Sequence, residues 1–127
     1  MIERLREAET EVLAPEAGRD LRGIVEAARA ALEAGARAIV LDLARVAALR
    51  GDDIERLLEV RALCRERAAA LVLAAVSREG WFAVDALDLA AHFPYRYASR
   101  AEALDTLRRA ALSPPGEAPL EIGFDAE

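Results

Sequence analysis

Lysine, asparagine and glutamine are missing from these 127 residues, and histidine and cysteine occur once each. All 17 basic residues are therefore arginines, and any mechanism that needs a lysine is excluded. The lone Cys64 has no partner for an internal disulfide, and within a helical pattern it reads as a small buried side chain. No apolar run approaches the roughly 18 residues of a membrane-spanning helix. The start, "MIERLREAETEV", is charged where a signal peptide has its apolar stretch. A cytoplasmic protein without direct membrane insertion is expected. With a net charge of −6 and arginines interleaved with acids along helix faces, the chain lacks the concentrated basic surface that nucleic acid requires.

Signs of chemistry are also missing. His92 has no cysteine or carboxylate at metal-ligand spacing and, beside Phe93, reads as a surface or partly buried residue. There is no Gly-rich phosphate loop, no G-x-S-x-G, and no histidine near a serine or cysteine in sequence. The reading is a non-enzyme with no cofactor and no metal.

What is present is periodic apolar sequence, 54% hydrophobic overall, enough for one domain with a single core. Residues 9 to 14 have modest strand character. From Asp20 the series Leu21, Ile24, Val25, Ala28, Leu32 falls on one helical face, and Gly35 ends it. "RAIVLDLA" is apolar on both faces, as a covered central strand is. A second helix is predicted from about Asp53 to Arg67, then a strand over 69 to 77; together they form a βαβ unit with parallel strands. Further on, 79 to 91 predicts a helix, "FPYRY" an edge strand, and Ser99 to about Leu112 a last helix opened by a Ser99/Glu102 capping box. Residues 1–112 form the expected domain. Residues 113–127, "SPPGEAPLEIGFDAE", form an acidic tail in which Leu120, Ile122 and Phe124 alternate and suggest an added edge strand, so self-association stays open.

The order of elements, with a long helix after "VLDL", resembles the STAS domain of anti-sigma-factor antagonists. In that family the strand and turn read approximately V-L-D-L-S-x-V-x-F-I-D-S-S-G-L. Residues Val40 to Leu58 lie on that pattern without a gap, Val40, Leu41, Asp42, Leu43, Val46, Leu49 and Ile54 agreeing in identity or type. Ser77, Phe93, Pro94, Ser99 and "EAL" at Glu102 to Leu104 fit later family positions, and the match spans about residues 20 to 110. The resemblance implies an α/β fold: a small mixed β-sheet with helices packed mainly on one face.

In antagonist members the second serine of D-S-S-G is phosphorylated by an anti-sigma-factor kinase. Here those four positions are Arg50, Gly51, Asp52 and Asp53, and no hydroxyl remains. Asp52 therefore puts a negative charge at a helix N-terminus where the phosphate would sit. A carboxylate carries about one charge against −1.5 to −2 for a phosphate, so the phosphomimetic is partial. The competing reading makes Asp52 an ordinary N-cap, with Glu55 in an acidic capping-box spacing, contributing about 0.5–2 kcal/mol. Asp42, near a strand end, has a local likeness to the phospho-acceptor of receiver domains, but that family's lysine and acidic pair are missing. A strand-end residue supporting the next turn is the simpler role.

The surface implied by the resemblance comprises Arg50, Gly51, Asp52 and Asp53 with Glu55 and Arg56. Trp81 and Phe82 join it on a separate ground: adjacent helical residues point about 100° apart, so one enters the core and the other is left as a binding anchor. The expected function is a non-catalytic regulatory module whose partner is an anti-sigma-factor kinase-like ATPase. The alternative is a constitutive accessory subunit of an ABC-type lipid-transport ATPase, or a signalling scaffold.

Overall fold

Two strands open the chain in the computed structural model, which describes residues 2–16 and 21–111. Strands β1 (Ile2–Glu7) and β2 (Thr10–Pro15) form an antiparallel hairpin around Ala8 and Glu9. The sequence pattern predicts no strand before residue 9, and the reason is chemical. Most of β1 faces solvent, and ion pairs hold it: Arg4 and Arg6 both reach the buried Glu11 on β2, at 2.8 and 3.1 Å. Arg6 also donates to the Ala34 carbonyl at the end of the first helix. Charges along an exposed edge deter pairing with another sheet.

The remaining elements alternate: α1 (Ile24–Glu33), β3 (Ala38–Asp42), α2 (Gly51–Glu66), β4 (Ala70–Ala74), α3 (Arg78–Ala86), β5 (Arg96–Tyr97) and α4 (Arg100–Ala111). The sheet order is β1-β2-β3-β4-β5, with β1 antiparallel and the other pairs parallel. The fold is thus α/β with a small mixed sheet. Parallel neighbours require a crossover, and crossovers of one hand in this strand order carry α1, α2 and α3 to one face. There Leu13, Ile39, Leu41 and Leu73 meet Ile24 and Ala28 of α1, Ile54 and Leu57 of α2, and Val84 of α3. The alternate strand residues Val12, Val40 and Val72 point the other way, against Ala103 of α4. Glu7 and Arg108 tie the hairpin to α4, and that hydrogen bond holds the exposed Glu7 carboxyl below its ordinary value. Its contribution is therefore present above the usual carboxylate range and lost as pH falls, and salt screens it.

Three helices end alike. After α1, α2 and α3 the chain turns through a left-handed residue: Gly35, Ala68 and Asp88, at φ 96°, 55° and 61°. Each is followed by an amide returning to a carbonyl five residues back: Ala36 to Ala31, Ala69 to Cys64, and Leu89 to Val84. Asp88 stops the helix predicted over 79 to 91 at Ala86, and a short 3-10 turn, Ala90–His92, follows. Ala68→Gly is expected to stabilise the protein by about 0.5–1 kcal/mol, since the left-handed penalty on alanine exceeds the chain-entropy cost of glycine. The urea midpoint checks this, and a lower midpoint would contradict the strain.

At α4, Ser99 accepts from the Glu102 amide at 3.1 Å, and the Glu102 carboxylate takes the Ala98 amide at 3.4 Å. The predicted capping residues act, with the return bond one residue earlier than a capping box has it. No helix among the described residues is long and apolar enough to cross a membrane. The expected tail, 113–127 with Leu120, Ile122 and Phe124, lies outside the described residues.

Candidate functional site

The C-terminal end of β3 delivers the chain to the turn that carries the two aspartates, and that of β4 leads to the start of α3. Leu43 donates to the Ala74 carbonyl at 2.9 Å, and Val46 and Leu49 are buried, so residues 43–50 are anchored to the sheet and core. Ser77, the N-cap of α3, accepts from the Gly80 amide and donates to the Ala47 carbonyl, both at 2.9 Å. A Cβ on Gly80 would lie 3.1 Å from the Ser77 hydroxyl and 3.4 Å from Leu49. The start of α3 is therefore packed on the loop that leads into α2, and both helix starts lie at one end of the sheet.

Asp42 anchors the same end. One carboxylate oxygen accepts the Ala44 amide at 3.1 Å, and the other accepts from Arg100 Nε at 2.7 Å. The strand-end role predicted for Asp42 is the observed one. Its bond to Arg100, which fixes the start of α4, has no local signature.

The two aspartates of the turn do different work. Helix α2 begins two residues before the predicted start: Arg50 is the N-cap, with extended backbone, and Gly51, Asp52 and Asp53 are its first three residues. The capping reading of Asp52 is thereby corrected. Asp53 reaches back to the Arg50 amide at 3.0 Å, as an acidic residue in the third helical position does. Its other oxygen accepts the Leu21 amide at 3.0 Å, from a segment 32 residues earlier. Asp53 is only 2% exposed, and Arg56 supplies a countercharge at 3.3 Å. It is a clamp between the start of α2 and the approach to α1.

Asp52 is exposed, as are Arg50, Gly51 and Glu55, while Arg56 is half-buried against Asp53. Its carboxylate is in the first turn, where the positive end of the helix favours a negative charge by about 0.3–1 kcal/mol. Nothing lies within 4 Å of a Cβ built on Gly51, so the turn has room for the side chains that the resemblance places there.

Trp81 and Phe82 divide as their spacing predicts. Trp81 packs against the core and lies under the Arg96 guanidinium, 3.7 Å from its ring centroid. Phe82 is 71% exposed, the most exposed large hydrophobic among the described residues. Asp52 and Glu55 near the start of α2, and Phe82 in α3, are each exposed. Among the described residues no cluster of three or more histidine, cysteine or carboxylate side chains could hold a metal ion.

No family model matches the chain, and no curated protein matches it in sequence. Solved structures do match. An anti-sigma-factor antagonist (STAS) domain protein from Planctomyces limnophilus superposes with a TM-score of 0.70 at 21% identity, over 84% of this chain and 97% of that one. The anti-sigma factor antagonist SpoIIAA in its unphosphorylated form gives 0.67 at 20% identity, over 86% and 97%. A sulfate transporter family protein from Wolinella succinogenes gives 0.72 at 15% identity, over 86% and 93%. By these superpositions the chain has the STAS-domain fold.

Proposed function

We propose that the chain is a non-catalytic regulatory module of the cytoplasm that binds a protein partner through the start of α2 and α3. The observation that carries the reading is the separation of the two aspartates. Asp53 is consumed by the fold, whereas Asp52 is displayed at the position that resembles the phosphorylated serine of antagonists. A helix end stripped of its hydroxyl, yet still offering a negative charge there, suits a module fixed in the phosphorylated-like form, whose hold on its partner is weaker than that of a serine-bearing form. The partner class is an anti-sigma-factor kinase-like ATPase.

The missing hydroxyl also favours a second reading, a constitutive accessory subunit of an ABC-type lipid-transport ATPase or a signalling scaffold. Such a role requires no phosphorylation. Affinity capture from lysate of the source organism, with wild-type and Glu55→Arg/Phe82→Ala baits, separates these readings. A kinase-like ATPase held by the wild type and lost by the double variant supports the first, and an ABC ATPase with the same dependence supports the second. A partner retained equally by both baits would overturn the assignment of the surface.

A further inference from the structure

The two faces of the sheet are unequally covered. Helices α1, α2 and α3 cover one, whereas among the described residues α4 alone packs on the other, over β3, β4 and β5. The outer part of the hairpin is less covered on that side. Leu5 is paired with Val12, so it points to the α4 side, and it is 44% exposed. Two residues along β1, from Glu7 onward, a groove of about 220 Å³ lies between the hairpin turn, the start of β3 and α4. Ala8, Ala38, Leu104 and Leu107 form its apolar wall. The carboxylates of Glu7 and Glu9 are matched there by the guanidiniums of Arg37 and Arg108, so its charge selects neither sign.

The chain's own end is placed to fill this groove. Helix α4 stops at Ala111, about one turn beyond Leu107, and sixteen residues of sequence follow. Pro114 and Pro115 cannot extend the helix, and Pro115 with Gly116 is a turn pair, so the sequence reads as a reversal of direction. Eight residues, 112 to 119, separate Ala111 from Leu120. They reach up to ~26 Å, against the ~6 Å from the helix end back to Leu107. From there Leu120, Ile122 and Phe124 alternate with Glu121, Gly123 and Asp125. An extended chain turns such a series apolar on one side and acidic on the other. Alternate residues are ~6.6 Å apart, the same interval that separates Glu7, at the groove, from Leu5 on β1.

We propose that residues 120–124 fold back onto this groove, with Leu120, Ile122 and Phe124 covering Leu104, Leu107 and Leu5. The tether favours the chain's own tail over a second copy. A short linker supplies an effective concentration in the mM range, and the translational freedom that two separate molecules give up is not lost. The groove lies at the N-terminal ends of the parallel strands, where Thr10 pairs with Ala38, away from the turn at Arg50 to Asp53. A docked tail therefore leaves the proposed partner surface open.

Spin-label line broadening in the isotope-labelled full chain tests this. Gly123→Cys supplies the attachment point on the outward side of the series. Cys64 needs no removal, since it is buried and desolvation pushes its thiol up to about 12. The expected result is strong broadening of the Leu5, Thr10 and Leu107 amides, with that of Ile54 on the other face of the sheet unaffected. Adding Leu120→Asp, Ile122→Asp and Phe124→Asp to the labelled chain is expected to reduce the broadening at Leu5 and Thr10 at least fivefold. Broadening confined to the end of α4, or unchanged by the three aspartates, would overturn the proposal. Broadening in an isotope-labelled chain without a spin label, mixed with a spin-labelled unenriched one, would place the tail of a second copy in the groove and would overturn it as well.

Discussion

Asp53→Ala is expected to destabilise the domain by about 1.5–5 kcal/mol, the sum of a lost helix cap at ~0.5–2 and an orphaned buried amide at ~1–3 kcal/mol. The reason is the double hydrogen bond of one buried carboxylate, to the amides of Arg50 and Leu21. Removing it leaves the first turn of α2 without its cap and the Leu21 amide without its acceptor. Arg56, whose side chain is 27% exposed, loses a partner but can still reach water, so that loss adds little. Asp53→Asn is expected to fall about halfway, because an amide group offers one acceptor oxygen where two are used. For a domain of this size the alanine variant corresponds to a fall in melting temperature on the order of 10 °C. A variant that melts with the wild type would show that the clamp between α1 and α2 is not a stabilising contact.

Asp52→Ser is expected to behave oppositely, with little change in stability and a large change in binding. The substituted position is exposed, and the favourable charge–helix interaction it gives up is about 0.3–1 kcal/mol. If Asp52 imitates a phosphate, restoring serine should strengthen binding to a captured kinase-like ATPase at least tenfold, equivalent to about 1.4 kcal/mol. The factor is modest because one carboxylate carries about half the charge of a phosphate. The same variant, incubated with that ATPase and ATP, should gain a phosphate at residue 52, which the wild type cannot. Unchanged affinity, measured by calorimetry, would remove phosphate imitation and leave the constitutive reading.

Much of this architecture was legible because burial writes itself into spacing. The inward residues Ile24, Val25, Ala28 and Leu32 repeat at helical intervals, and β3 is buried along its whole length, so α1, β3, α2 and β4 follow from their residues. Strand β1 was not legible, since beyond its backbone pairing with β2 its side-chain contacts include Arg4 and Arg6 on Glu11, a pattern that resembles any solvated charged segment. The ends of the helices divide on one residue type. Gly35 announces its turn, but Ala68 and Asp88 adopt the same left-handed conformation with no glycine to mark it.

The likeness of residues 40 to 58 to the STAS pattern put a helix start near the two aspartates, and α2 does begin there. The structural roles of the two aspartates were not legible, because the partner that decides them, the Leu21 amide, is 32 residues away in sequence. The Arg100 bond to Asp42, 58 residues apart, escaped in the same way. Local spacing encodes caps and faces, whereas contacts of this kind exist only once the sheet is assembled.

Hydrogen–deuterium exchange of the full chain, alone and saturated with its captured partner, tests the binding surface most directly. The account predicts slowed exchange concentrated in residues 50–56 and 78–82, where the starts of α2 and α3 share one end of the sheet. Protection at the β1 edge or around residues 61–71, with the turn at Arg50 to Asp53 exchanging as in the free protein, would contradict it.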